Sequence, residues 1–199
     1  TLMLATATQS DLGRAAIVAG AAVRGFGLDA SETQRVVDVM AVAFTSSALD
    51  IEKFQTSMTK VAPISAAAGI SIESTSAVMG TLTDAGIEAS IAGTSLRNIF
   101  LKMQDSSSEL SQFLGFTVNS ADDLQIALNK LNDAGLENEE IMELVDLRQV
   151  AAFNTMIKGV DRIGELRDAF DNANGSSQEM ADIIGDTLEG EMKRLTSAS

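Results

Sequence analysis

Thiolate nucleophiles, imidazole bases and the usual zinc ligands are all missing from this 199-residue chain, which contains neither cysteine nor histidine. Disulfides and thiolate metal sites go with them. Carboxylates remain as the only groups suited to acid–base work. Two adjacent pairs, Asp122–Asp123 and Glu139–Glu140, are the first candidates. Both fall in the first turn of a predicted helix, where negative charge favours the helix dipole. They read as structural, and none of Glu73, Asp84 or Glu139 is expected to be catalytic. DNANGSSQE (171–179) has the look of a calcium loop. Aligning Gly175 with the invariant glycine of such a loop puts Phe170 and Ala181 at its first and last ligand positions. Neither side chain offers an oxygen, so that reading fails. AGTSLR (92–97) lacks the preceding strand and the GxxxxGK[ST] or GxGxxG spacing of a phosphate loop, which leaves a helix start. Arg97 is a charge on an otherwise apolar helix, SLRNIFLKM, with Glu73, Asp84 and Glu88 as candidate partners and plain solvation as the alternative. The expected complement of catalytic residues, cofactors and metals is therefore none.

The elements that carry these residues are helical. Apolar residues recur at helical spacing throughout, and VVDVMAVAF (36–44), which resembles a strand locally, follows a capping signature at Asp29 and Glu32. The pattern predicts helices over 10–25, 30–47, 50–68, 71–85, 89–104, 120–133, 138–145, 147–158, 160–173 and 177–196. Pro63, the single proline, is expected to kink or end the third near Ala62. Nine methionines are spread through these helices as core fillers.

Glycine supplies the punctuation. GFGLDASE, AAGISIES, DAGIEASI and DAGLENEE share one order: small residue or Asp, Gly, Leu or Ile, then a polar residue. Glycine just past a helix can take the left-handed conformation, and the apolar residue after it packs back on the last turn. Gly27, Gly69, Gly86 and Gly135 are expected to be such stops, and SSQE (176–179) after Gly175 reads as a capping box. Gly80 falls inside a predicted helix. Its replacement by alanine should be neutral or stabilising unless tight packing excludes the methyl group. The fold class expected is all-α, a compact array of about ten short helices. It forms one unit or two helical subdomains, 1–104 and 105–199, divided at the loop-like QDSSSEL (104–110).

Composition limits the partners. The chain is 45% hydrophobic and only 4% aromatic, so its core rests on small side chains and closely approaching helices. Its net charge of −14 and scattered cations, the closest pair being Lys193–Arg194, argue against nucleic acid or anionic lipid as a bound ligand. AAIVAGAAV (15–23) is about half the ~20 residues that a membrane-spanning helix needs. A start at Thr rather than Met suggests a piece of something longer.

The order of residues also resembles a known family. VAP-x-x-x-A-A-G-I-S-I-E (61–73) followed by DAGIEAS-x-AGTSLRN (84–98) is similar to the core region of phage tail tape measure proteins. FGLDASE (26–32) resembles the segment before it. DLRQVAAFNTMIKGVDRIGELRDAF (146–170) and AFDNANGSSQEMADIIGDTLEGEMKRLTSA (169–198) resemble the stretch after it. The residues carrying the likeness are Gly27, Pro63, Gly69, Gly86, Gly93, Thr94, Leu96, Arg97 and Gly175. Val145-Asp146-Leu147 stands where a phenylalanine-glycine is expected, and 105–120 is indistinct. The resemblance implies a structural module, encoded by a phage or a prophage, that scaffolds tail-tube assembly, sets tail length and is expelled ahead of DNA. It implies tail-tube and tail-assembly proteins as partners and self-association as a homo-oligomer. No specific nucleic acid is implied, and membrane contact only at infection. Its place would be the tail-tube lumen of the virion, and the host cytoplasm during assembly. Two alternatives stay open, a membrane-active helical module and a non-catalytic interaction domain.

Overall fold

Polar side chains fix where the helices begin. In the computed structural model, which describes residues 12–182, Asp50, Ser71, Ser108 and Ser120 each accept a hydrogen bond from the backbone N–H three residues on. Each satisfies one of the four N–H groups that a helix start leaves unpaired. The helices so bounded are α1 (Leu12–Gly25), α2 (Thr33–Ser46, after a 3-10 turn at Ala30–Glu32), α3 (Ile51–Ala67) and α4 (Ile72–Asp84). They continue as α5 (Ala89–Gln104), α6 (Glu109–Leu114), α7 (Ala121–Ala134) and α8 (Asn138–Leu144). A 3-10 turn at Leu147–Gln149 precedes α9 (Val150–Lys158) and α10 (Val160–Asp171). The chain is helical again over 176–182, and no strand occurs among the described residues. The fold is all-α. The first and last predicted helices, 10–25 and 177–196, extend partly outside the described residues.

The stops follow from glycine. At Gly69 (φ +62°) and Gly86 (φ +83°) the next residue returns its N–H to the carbonyl five back, Ile70 to Ser65 at 2.9 Å and Ile87 to Leu82 at 3.1 Å. A side chain with a Cβ is disfavoured at such φ, whereas glycine adopts it freely. Gly27 closes α1 in the same pattern, and Gly135 takes a left-handed cap after α7.

Helix α4 forms the axis of the fold. All twelve residues from Ile72 to Thr83 are buried, and α2, α3, α5, α9 and α10 pack around it. An enclosed helix needs no polar face, but this one must be slim enough to be surrounded. Ser74, Thr75, Ser76, Gly80, Thr81 and Thr83 keep it so. Thr81 donates its hydroxyl to the Ala77 carbonyl and Thr83 to that of Met79, both at 3.0 Å, so these hydroxyls are buried without being orphaned. The same hydrophobic core extends from Ala15 to Phe170.

Three expectations need correction. Pro63 does not break its helix: α3 continues to Ala67 with Pro63 inside it on the exposed side. The hydrogen bond lost there faces water, while the extensive packing of α3 on α5 holds the helix on both sides. Gly80 is not free space in a helix interior. A methyl group there would stand 2.9 Å from Leu166 Cδ1 and 3.1 Å from Ser47 Cβ. The indistinct stretch after Gln104 holds a short helix, α6, which Ser108 caps.

Glycine substitutions therefore separate into two classes under chemical denaturation. Gly86→Ala should cost about 1–2 kcal/mol through backbone strain, and Gly86→Asn clearly less, since nothing lies within 4 Å of that position. Gly80→Ala should cost about 1–3 kcal/mol through overpacking, with Asn worse than Ala. If Asn proves milder than Ala at Gly80 as well, the packing account of that glycine is wrong.

Candidate functional site

The carboxylates that could have done chemistry are fasteners in the fold. Glu73, in the first turn of α4, is buried and takes a two-pronged bond from Arg35 of α2, Nε to Oε1 at 2.6 Å and Nη2 to Oε2 at 2.9 Å. Arg35 also reaches Glu32 at 2.9 Å. The Glu73 carboxylate, more than any other group, raises the Arg35 guanidinium above its already high ordinary pKa, so its charge is fixed. Asp84, at the far end of α4, accepts from the Ala48 N–H at 2.6 Å and from Arg162 of α10 at 2.9 Å. Arg162 also donates to the Ser46 carbonyl. One carboxylate thus pins each end of the buried helix to its neighbours.

A third fastening closes the chain's return. Asp38 is 1% exposed on α2 and faces no cation. Its carboxylate accepts from Gly175 N at 3.0 Å, Ser177 N at 3.1 Å and Ser177 Oγ at 2.6 Å, with Gln34 Nε2 adding 3.1 Å. Four donors compensate the buried charge. The cap of the helix after Gly175 therefore comes from α2, and no hydrogen bond from the Ser176 side chain closes the local capping box expected there. Asp38, Arg35 and Glu73 line a cavity of about 300 Å³ with Phe170 and Asp171. Burial first, and the charge of Glu73 second, raise the Asp171 carboxyl above its usual range.

The adjacent acidic pairs are also engaged structurally. Asp122 meets Arg167 at 3.1 Å, Asp123 accepts from Asn119 N at 3.1 Å, and Glu140 accepts from Glu137 N at 2.8 Å in a capping box. Among the described residues, no three acidic groups are grouped to hold a metal ion.

The remaining motif residues lie on α5. Gly93 sits against the Ser57 backbone, where an added Cβ would be 2.9 Å from the Ser57 Cα and carbonyl oxygen, and this sets the close approach of α3 and α5. Leu96 is buried in the core. Thr94 accepts from Lys60 Nζ at 3.0 Å, and Lys60 also bonds Ser90 Oγ at 2.6 Å. Arg97 finds none of its three candidate carboxylates. It is exposed and touches only Asn98 Oδ1, at 3.2 Å, because Glu73 and Asp84 are taken and Glu88 caps α5. Gly175, at φ +84°, is the backbone donor to Asp38. The fastening roles of Arg35, Asp38 and Arg162 escaped the sequence reading. Asp38 within the apolar run VVDVMAVAF was the visible sign, as a charge on a face that had to be buried.

Comparison with known proteins agrees with this arrangement. The sequence model described as phage-related minor tail protein matches residues 1–122, more than half of the 199. The chain belongs to the phage-related minor tail protein family. The matched part contains α1 to α6 and the motif residues from Gly27 to Arg97. This minor tail chain is 29% identical over 211 aligned positions to the tape measure protein of Pneumococcus phage Dp-1, covering 99% of the chain and 18% of that relative. It is 28% identical over 192 positions to the probable tape measure protein of Escherichia phage P2, covering 87% of the chain and 23% of that relative. The minor tail chain thus spans less than a quarter of the length of these relatives. No solved structure gives a significant match.

Removing the Asp38 carboxylate leaves the Gly175 and Ser177 donors without an acceptor. Asp38→Ala should cost about 2–4 kcal/mol in urea unfolding and Ser177→Ala about 1 kcal/mol. A loss below about 0.5 kcal/mol for Asp38→Ala, the level of an ordinary surface change, would show that this fastening is inert.

Proposed function

We propose that this chain is a structural, non-catalytic section of a phage tail tape measure protein, folded as a helical module within a much longer chain. The observation that carries the reading is the alignment of 99% of the chain with the tape measure protein of phage Dp-1. The fold supports it, because the carboxylates of the core hold helices together and face no substrate cleft. The role proposed is to scaffold tail-tube polymerisation and contribute to tail-length determination, with expulsion ahead of DNA at infection. Tail-tube and tail-assembly proteins are its partners in this reading, together with further copies of itself. Its place is the tube lumen in the virion, and the host cytoplasm before assembly. Within the module, 1–104 carries the tape-measure-like motifs and 105–199 is the second helical half.

A net charge of −14 suits a chain that shares a conduit with DNA, since it repels phosphate rather than adhering to it. The rival reading, a membrane-active module, draws less support. Among the described residues no helix is long and apolar enough to cross a membrane.

An in-frame deletion of residues 12–182 from the parent tail gene tests the proposal. Electron microscopy of lysates should show tails that are absent or of uncontrolled length. Tails of normal length and full infectivity would sink it. Leakage from vesicles treated with the purified chain, at protein concentrations that leave the fold intact, would instead favour the membrane-active reading.

A further inference from the structure

The search leads to the face formed by α5, α8 and the 3-10 turn at Leu147–Gln149. An open groove of about 680 Å³ separates the Ser90–Asn98 side of α5 from that turn, which the Lys102–Asp146 pair holds against the helix at 3.8 Å. Ile91 and Leu147, 56% and 76% exposed, flank it, and Leu147 is among the most exposed large apolar side chains of the described residues. Isolated apolar side chains on a surface mean little, but two on one groove mark an interaction site. Gln149 lines the same groove, is 6% exposed, and its Oε1 is buried without a partner. An unsatisfied buried amide oxygen is costly and calls for a donor from outside.

Charge identifies the occupant. Arg148 on the groove and Arg97, one turn beyond Thr94, make no ion pair among the described residues, although acidic residues outnumber basic ones 28 to 14. The helix just before the turn has the opposite character. Glu139 and Glu143 lie one turn apart on α8 with exposed Met142 beside them, and neither carboxylate has a salt bridge or hydrogen bond among the described residues. Four residues separate Glu143 from Leu147, a span of at most ~14 Å. One face therefore carries an apolar groove rimmed by free guanidinium groups and, beside it, an apolar side chain flanked by free carboxylates.

We infer that this face binds a second copy of the chain across a two-fold axis, each groove receiving the Glu139–Met142–Glu143 edge of the partner's α8. A patch holding both halves of a complementary pair is what an isologous interface requires. The overall negative charge does not forbid it, because repulsion beyond about 8 Å is screened at physiological salt while close pairs persist. The inference gives a location to the self-association in the proposed tail role, and the assay reads association of the chain alone, so its failure would leave the tail assignment standing.

Charge reversal tests it. Sedimentation velocity of the 199-residue chain, from micromolar to near-millimolar concentration, should show a monomer passing to a dimer. The variant Arg97→Glu with Arg148→Glu has an acidic groove and an acidic α8, and should need at least a ten-fold higher concentration to dimerise. The variant Glu139→Lys with Glu143→Lys has both parts basic and should be weakened equally. An equimolar mixture of the two variants should recover the dimer, because each groove then meets an α8 of opposite charge. All four positions are exposed, and unchanged circular dichroism establishes that the variants fold. A wild-type chain that stays monomeric overturns the inference, as do reversed variants that still dimerise or a mixture that does not.

Discussion

The enclosure of α4 is the constraint on which the rest of this fold depends. A helix buried on every side can offer neither a charged face to water nor bulky side chains to five neighbours at once. Its sequence, IESTSAVMGTLTD, answers with serines, threonines, an alanine and a glycine along its length. The hydroxyls of Thr81 and Thr83 turn back onto their own helix, and Gly80 admits Leu166 from α10 and Ser47 from the end of α2. Close approach replaces the large aromatic contacts that this chain lacks, the one ring pair among the described residues being Phe44 and Phe54 with centroids 5.8 Å apart. Dispersion between closely packed small groups is weak per atom and substantial in sum.

Small side chains slide against one another more easily than interlocking large ones, so such a core needs something to fix its register. The carboxylates supply that. Glu73 and Asp84 anchor the two ends of α4 to guanidinium groups on α2 and α10, and Asp38 anchors the returning chain. Bonds to charged groups contribute more than neutral ones and have strict geometry. In this chain the charge is therefore spent on alignment. The same fact removes the acid–base reading, because a carboxylate saturated by donors is not poised to exchange a proton with a substrate.

What the sequence disclosed and what it concealed divide by range. The helix stops at Gly69 and Gly86 were legible because a left-handed cap involves only neighbouring residues, and the small–Gly–Ile–polar order carries all of it. Gly80 and Gly93 carry no such local sign. Their meaning lies in Leu166 and Ser57, 86 and 36 residues away, and a pattern with period 3.6 does not encode those partners. Pro63 misled for the same reason, since the packing of α3 on α5 that outweighs its broken bond is not local. Asp38 and Ser177 stand 139 residues apart, so the true cap of the last described helix was out of reach of any local capping rule. The fold class was readable, and the fastenings that give it one arrangement were not.

The distribution of charge then bears on what the surface can do. Arg35 and Arg162 are consumed in internal fastening, which leaves fewer cations to offset the acidic residues outside. Over most of its exterior such a chain repels anything anionic within a Debye length, DNA and other copies of itself included. Specific association must then be confined to places where unpaired cations and apolar side chains occur together. The α5 groove combines them, with Arg97 in the motif segment shared with the tape measure resemblance and Arg148 outside the part matched by the family model. A generally repulsive surface with one locally attractive face favours a single mode of contact, because every misaligned encounter meets like charge. Net acidity and specific assembly are thus two consequences of one allocation of charge.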